Sequence, residues 1–334
     1  MKQKVLSKIR VGIIRCDLHA FYYGALMFKH DPLVLWNDYV GHGHLAYFYF
    51  YLQFDDPRKM TVPKVTGFQL VKVWDENRRQ AEVFANIFGK DSRVCDRFEE
   101  VSEDVDLVFI PDCNGDGSDH LKLTTPGLIK RVPTFIDKPF AYEVKDAIDM
   151  IKLAKKYKTP IMSLSMLRVL PHATMFRNRF DELNDPEFGI IKGGGKAMGG
   201  HIHAISLAQH LFGTGVESVE TMGQTPLAYV HLDYGGKLNR PKAGVVLNCA
   251  SGGMPHCAMY ASAYSKLGAI HSPAFGDFEF PYGAVKILRM IKKMVNTGKS
   301  QAPCEEMIEC IAIATAARLS QQERRRIYLK EVLK

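Results

Sequence analysis

Residues 135–161 read FIDKPFAYEVKDAIDMIKLAKKYKTPI. A short apolar run, Thr134–Ile136, ends in Asp137-Lys138-Pro139, a helical pattern follows over Val144–Tyr157, and a second apolar run spans Pro160–Leu164. Brief continuous apolar runs flanking a helix read as buried strands. Strand, helix, strand at this spacing is one parallel βαβ unit with a right-handed crossover.

The same alternation continues toward the N-terminus. Strand-like pieces occupy Arg10–Ile14, Phe68–Trp74 and Leu107–Pro111, and helical patterns occupy Leu18–Lys29, Glu76–Phe88 and Leu121–Lys130. Residues 1–160 are therefore predicted to form a Rossmann-type, doubly wound parallel sheet. One connection, about residues 30–64, is far longer than such folds need. Inside it HLAYFYFYLQF (44–54) alternates tyrosines with Phe and Leu, which predicts an extra strand or ribbon. That ribbon would pack on the sheet or a partner subunit, or offer a stacking wall to a sugar ring.

Beyond about residue 160 the texture changes. IKGGGKAMGGH leads into a helical pattern through Phe212. Strand-like runs follow at Leu227–Leu232, Gly244–Cys249, Met259–Ser265 and Ala269–His271, and helices at Ala284–Val295 and Cys304–Leu319. Residues 161–334 are predicted as an α+β domain with a mostly antiparallel, open sheet.

Composition bounds the function. The chain has 334 residues, 46% hydrophobic and 24% charged, which suits a globular protein with a large core. No apolar stretch reaches the ~18–20 residues of a membrane helix, and MKQKVLSKIRVGII lacks the h-region and cleavage site of a signal peptide. A cytoplasmic location is expected. The net charge of +8 is dispersed, with its densest run at Arg324-Arg325-Arg326 and no nucleic-acid motif beside it. Seven cysteines without a CxxC pair indicate reduced thiols rather than a disulfide scaffold or structural zinc.

Asp137-Lys138-Pro139 resembles the E-K-P tripeptide of the glucose–fructose oxidoreductase/inositol dehydrogenase family, Gfo/Idh/MocA. GGGKAMGGHIHAISLAQHLFG (193–213) is similar to its glycine-rich entry into a D-x-x-x-H helix, and EEMIECIAIATAARLS (305–320) to its terminal helix. The resemblance implies an NAD(P)-dependent oxidoreductase acting on a sugar, cyclitol or glycoside hydroxyl, a small carbohydrate-like substrate, and a homodimer or homotetramer. It assigns Lys138 to the reacting hydroxyl and the nicotinamide, and His203 to general acid–base work. At the family's aspartate position this chain has Gly199, and two residues before His203 it has His201.

The cofactor motif departs further. At the three places of a G-x-G-x-x-G turn stand Arg15, Asp17 and Ala20. Only Ala20 can substitute for its glycine, and Asp17 sets a negative charge where a pyrophosphate belongs. On the resemblance, Arg15 and His19 become the phosphate partners of a weakly bound dinucleotide. Asp75 matches the ribose-binding acid, Asn114 falls in the loop after the next strand, and Arg78 and Arg79 leave NAD versus NADP open. That loop, PDCNGDGSDH (111–120), carries three aspartates. The alternative is a homologue that does not use nicotinamide in the usual way, either a sugar lyase or hydratase or a non-catalytic binding partner. Asp17 with His19, and His42 with His44, have spacings compatible with a divalent metal on a strand, but no metal site is predicted.

Overall fold

The computed structural model describes residues 8–112, 115–193, 195, 198–223, 228–250 and 259–334. The chain divides into two compact units, one of residues 1–141, 148–164 and 284–304, the other of residues 142–147, 165–283 and 305–334.

The first unit alternates strand and helix: β1 (Ile9–Ile14), α1 (Leu18–Met27), α2 (Pro32–Trp36), α3 (Gly43–Tyr51), β2 (Phe68–Trp74), α4 (Arg78–Phe88), β3 (Arg93–Val94), β4 (Leu107–Ile110), α5 (His120–Ile129), β5 (Thr134–Ile136), α6 (Val144–Tyr157) and β6 (Ile161–Ser163). The six strands order as β3-β2-β1-β4-β5-β6, all parallel. This is the doubly wound Rossmann order, with its reversal between β1 and β4. Every residue of β4 and β5 is buried, as expected of strands covered on both faces. Phe109 of β4 stacks on Phe135 of β5 at 4.9 Å, and Tyr23 of α1 meets Phe109 edge-on at 5.3 Å. Each such pair adds about 0.5–1.5 kcal/mol beyond burial, so α1 is anchored to the strands whose ends it faces.

The expected ribbon at 44–54 is instead the helix α3. Its buried residues are Gly43, Ala46, Tyr47, Phe50 and Tyr51, a spacing of three and four that only a helix places on one face. Tyr and Phe both bury large ring faces, so their alternation carries no polarity signal. Phe50 and Tyr49 pack against Tyr22 of α1 at 4.6 and 5.1 Å, and Tyr47 against Trp36 at 4.9 Å.

The second unit carries α7 (Pro171–Arg177), β7 (Phe188–Lys192), α8 (Met198–Phe212), β8 (Ser218–Met222), β9 (Tyr229–Asp233), β10 (Val245–Asn248), β11 (Tyr260–Ser265) and β12 (Gly268–His271). α9 (Phe280–Thr297), most of which belongs to the first unit, α10 (Cys304–Glu323), β13 (Ile327–Tyr328) and α11 (Leu329–Val332) complete the chain. Its sheet runs β12-β11-β7-β10-β9-β8-β13 and is antiparallel except for β7 with β10. The helix α10 is pinned to this sheet: the Thr221 amide donates to Ser320 Oγ at 2.9 Å and the Thr221 hydroxyl to the Ala317 carbonyl at 2.9 Å. Among the described residues no helix is long and apolar enough to cross a membrane.

Candidate functional site

At the point where the strand order reverses, the carboxyl ends of β1, β4 and β5 lie side by side, the usual ligand crevice of an open parallel sheet. β1 leaves the sheet at Arg15, whose amide donates to the Trp74 carbonyl at 2.8 Å. Its φ of +72° is the left-handed conformation a glycine would take at little cost. The bend of the family-type turn is therefore kept, although its glycine is absent. The Arg15 guanidinium is held by the carboxylates of Asp112 and Asp119 and, at 3.1 Å, by Glu76.

Asp17 follows, 8% exposed. An aspartate just before an apolar helical run is a strong N-cap, and here its Oδ1 accepts from the amides of His19 at 2.9 Å and Ala20 at 3.4 Å. The cap neutralises the positive end of α1 and contributes about 1 kcal/mol. Asp75, at the end of β2, turns onto the backbone as well, accepting from the Cys16 amide and the Asn77 amide, each at 2.7 Å. Gln80 of α4 donates to the Cys16 carbonyl at 2.8 Å. The amides of Cys16, His19 and Ala20 thus all donate to carboxylates of the chain itself.

The loop after β4 supplies the next layer. Asp112, 2% exposed, accepts from the Gly115 amide at 2.9 Å and lies 3.4 Å from His120 Nε2. Burial pushes its carboxyl up, but His120, the Gly115 amide and Arg15 outweigh that and hold it well below the usual carboxylate range. Gly117 lets this loop close over the end of β5. Its φ is +85°, and a Cβ there would meet the backbone of Ala141 at 2.9 Å and Pro139 at 3.1 Å. Asp112, Asp119 and His120 bring their ligand atoms within 4.8 Å of one another, a spacing a metal ion could use. Arg15 already supplies a cation to both carboxylates.

At the end of β5, Asp137 is buried and paired with His19, and its amide donates to the Ile110 carbonyl at 2.8 Å. Lys138 follows, 6% exposed, before a cis peptide bond to Pro139. No hydrogen bond or ion pair joins its ammonium to a described residue.

Arg15, His19, Asp75 and Lys138 all lie in the first unit. Asn114 lies outside the described residues. His203 belongs to the second unit, on α8. Its Nδ1 is 2.6 Å from the hydroxyl of Ser165, and its ring lies nearly parallel to Phe280 at 6.3 Å. His201 is fully buried, and neither ring nitrogen has a partner among the described residues. Burial, aided by the charge of Arg318, lowers its pKa to about 3.

Residues 40–164 match the profile of GFO_IDH_MocA, the oxidoreductase family with an NAD-binding Rossmann fold. No curated protein sequence matches the chain. Solved structures of the same fold include myo-inositol 2-dehydrogenase from Lactobacillus plantarum, 13% identical, with a TM-score of 0.72, covering 96% of this chain and 99% of that one. Apo scyllo-inositol dehydrogenase from Lactobacillus casei is 11% identical, with a TM-score of 0.72, covering 99% and 100%. An oxidoreductase from Agrobacterium radiobacter in complex with NAD+, L-tartaric acid and magnesium is 14% identical, with a TM-score of 0.68, covering 97% and 99%.

A doubly wound Rossmann sheet that holds a dinucleotide seats the pyrophosphate on the amides at the start of its first helix, here α1. The residues of this turn do not fit one there. Two of those amides are already given to Asp17, and the Arg15 guanidinium is given to three carboxylates. The three aspartates of 111–120 are plain in the sequence, but nothing along the chain shows that Asp112 and Asp119 reach Arg15. The cap made by Asp17 was missed, and the signal that could have found it is an aspartate directly before the helical run from Leu18; the pairing of His19 with Asp137 leaves no trace along the chain.

Proposed function

We propose that this protein is an oxidoreductase acting on a hydroxyl-bearing carbon of a sugar or cyclitol. Lys138 carries the reading. A lysine ammonium needs an acceptor or a counter-charge, and Lys138, 6% exposed as a residue, stands at a crevice-facing strand end with no hydrogen bond or ion pair to another described residue. A substrate hydroxyl is an acceptor of the right size, and an ammonium so placed holds or releases the hydroxyl proton. The family match and the inositol dehydrogenases among structures of this fold support a polyol substrate.

In this family a nicotinamide supplies the hydride chemistry. Asp75, at the ribose-binding position, supports NAD over NADP. So does Arg78, which is spent on Glu82 at 3.0 Å and Asp96 at 2.5 Å. The filled turn makes uptake weak. His203 is the second proton-handling group, with Ser165 fixing its Nδ1 side. The same reading makes the protein a cytoplasmic homodimer or homotetramer.

One observation, the Asp17 cap, favours a second reading: a family member that works without the dinucleotide, as a sugar lyase or hydratase or as a non-catalytic binding partner. The test is mass spectrometry of nucleotide released from the purified protein, together with reduction of NAD+ and NADP+ against a panel of inositols and hexoses. Turnover with a polyol is expected. No nucleotide and no reduction with any panel member would overturn the first reading in favour of the second.

A further inference from the structure

We infer that Asp17 is a built-in occupant of the dinucleotide phosphate site: its carboxylate takes the place a pyrophosphate oxygen has in this family, so a dinucleotide enters only by displacing it. The inference rests on the reading that this crevice is the cofactor side of the fold. It does not depend on the substrate or on Lys138.

Three observations converge. The Asp17 carboxylate accepts from the amides of His19 and Ala20, the donors that a helix N-terminus offers to an anion. Asp75 takes the Cys16 amide at 2.7 Å, so the turn has no slack with which to present that donor instead. Arg15, the one strong cation of the turn, is bound to Asp112, Asp119 and Glu76 and offers phosphate no net positive charge. Five carboxylates (Asp17, Asp75, Glu76, Asp112 and Asp119) thus serve a turn that in an intact fingerprint is made of glycine backbone.

The occupant differs from an ordinary cap in its consequence. A serine at an N-cap satisfies the amides and leaves the helix end attractive to anions, whereas an aspartate satisfies them and adds the repelling charge. Replacing Asp17 should therefore raise dinucleotide affinity, more so when the new residue has no side chain to displace.

The experiment is isothermal calorimetry of NAD+ and NADP+ with the full chain, as wild type, Asp17→Ser, Asp17→Gly and the double variant Asp17→Gly/Arg15→Gly. Thermal melting accompanies each titration to confirm folding. Charge-assisted hydrogen bonds regained at two amides predict NAD+ binding about 10- to 100-fold tighter in Asp17→Gly than in wild type. Asp17→Ser, which keeps a capping oxygen without the charge, should fall between them. The double variant should bind at least as tightly as Asp17→Gly. Wild-type affinity within about twofold of Asp17→Gly would overturn the inference, because Asp17 would not then compete with phosphate. So would folded Asp17→Gly and double variants that bind neither nucleotide, because something other than this turn would bar them. Turnover is read in neither arm, so failure of the oxidoreductase reading, tested with Lys138, remains separable.

Discussion

Replacing Arg15 with methionine should destabilise the first unit in a pH-dependent way. The guanidinium side chain is 16% exposed and faces Asp112, whose side chain is 2% exposed. Removing one partner of such a pair leaves a buried charge and costs about 3–5 kcal/mol. Asp112 keeps the Gly115 amide and His120, which places the loss near the lower end, about 3 kcal/mol. Asp119 and Glu76, 35% and 69% exposed, add at most a few tenths each after screening by water, about 0–1 kcal/mol in total. In the wild type the Asp112 carboxyl is held below its unfolded value of about 3.9. Its stabilisation is therefore present above about pH 4 and is lost as pH falls through the folded value. Without Arg15 one of the contacts that hold the carboxyl down is gone, so it protonates more easily than in the wild type and then needs no cation. The gap between wild type and Arg15→Met should be widest at pH 7 and should begin to narrow as pH falls below about 4. Urea unfolding followed by circular dichroism at pH 7, 5 and 3.5 measures it, and Asp112→Asn in the Arg15→Met background should restore most of the loss at pH 7. A gap of constant size across this range, or one below about 1 kcal/mol at pH 7, would refute a buried pair as the reason Arg15 is tolerated in a left-handed turn. Arg15→Gly should lose about 1–2 kcal/mol less than Arg15→Met, because glycine also relieves the backbone.

Lys138→Met should lower kcat by about 10²–10⁴-fold with an unchanged circular dichroism spectrum, since it removes a proton-handling group and keeps the bulk; near-normal kinetics would remove Lys138 from the mechanism. His203→Ala should approach the same loss, because Gly199 leaves no carboxylate one helical turn earlier to share the work, and Ser165→Ala should shift the pH profile rather than abolish turnover. His201→Leu should stabilise the protein at mildly acid pH: an imidazole lowered from 6.5 to about 3 resists protonation that the unfolded chain accepts, and the wild type should lose about 2 kcal/mol between pH 7 and pH 5 from this group alone. Urea midpoints of the two proteins that stay parallel over that range would show His201 to be solvated. Light scattering at micromolar concentration should give the mass of two or four chains, and the mass of one would count against the oligomer.

The strands and helices of the first unit were legible because each is dictated locally. Leu107–Ile110 is continuously apolar because both its faces are covered, and Phe68–Trp74 and Val144–Tyr157 appear with the bounds their patterns give. Short connections and the fixed hand of the crossover make the sheet parallel and doubly wound, while the order β3-β2-β1-β4-β5-β6 is a finding of the structure. The antiparallel character of the second sheet was legible from its turns, while the parallel pairing of β7 with β10 was not, because strands some fifty residues apart share no local signal. The helix α3 was misread because its aromatic run has no polarity contrast, and packing against Tyr22 and Trp36 fixes which face is inside. The candidate site divides in the same way. Lys138 and the missing glycines were visible in the sequence as residue types at strand ends. What fills the place of the glycines was decided only in three dimensions: Arg15 finds its carboxylates 61, 97 and 104 residues away along the chain. Ion pairs made across a sheet's edge depend on which strand ends become neighbours, and no periodicity in the sequence records that.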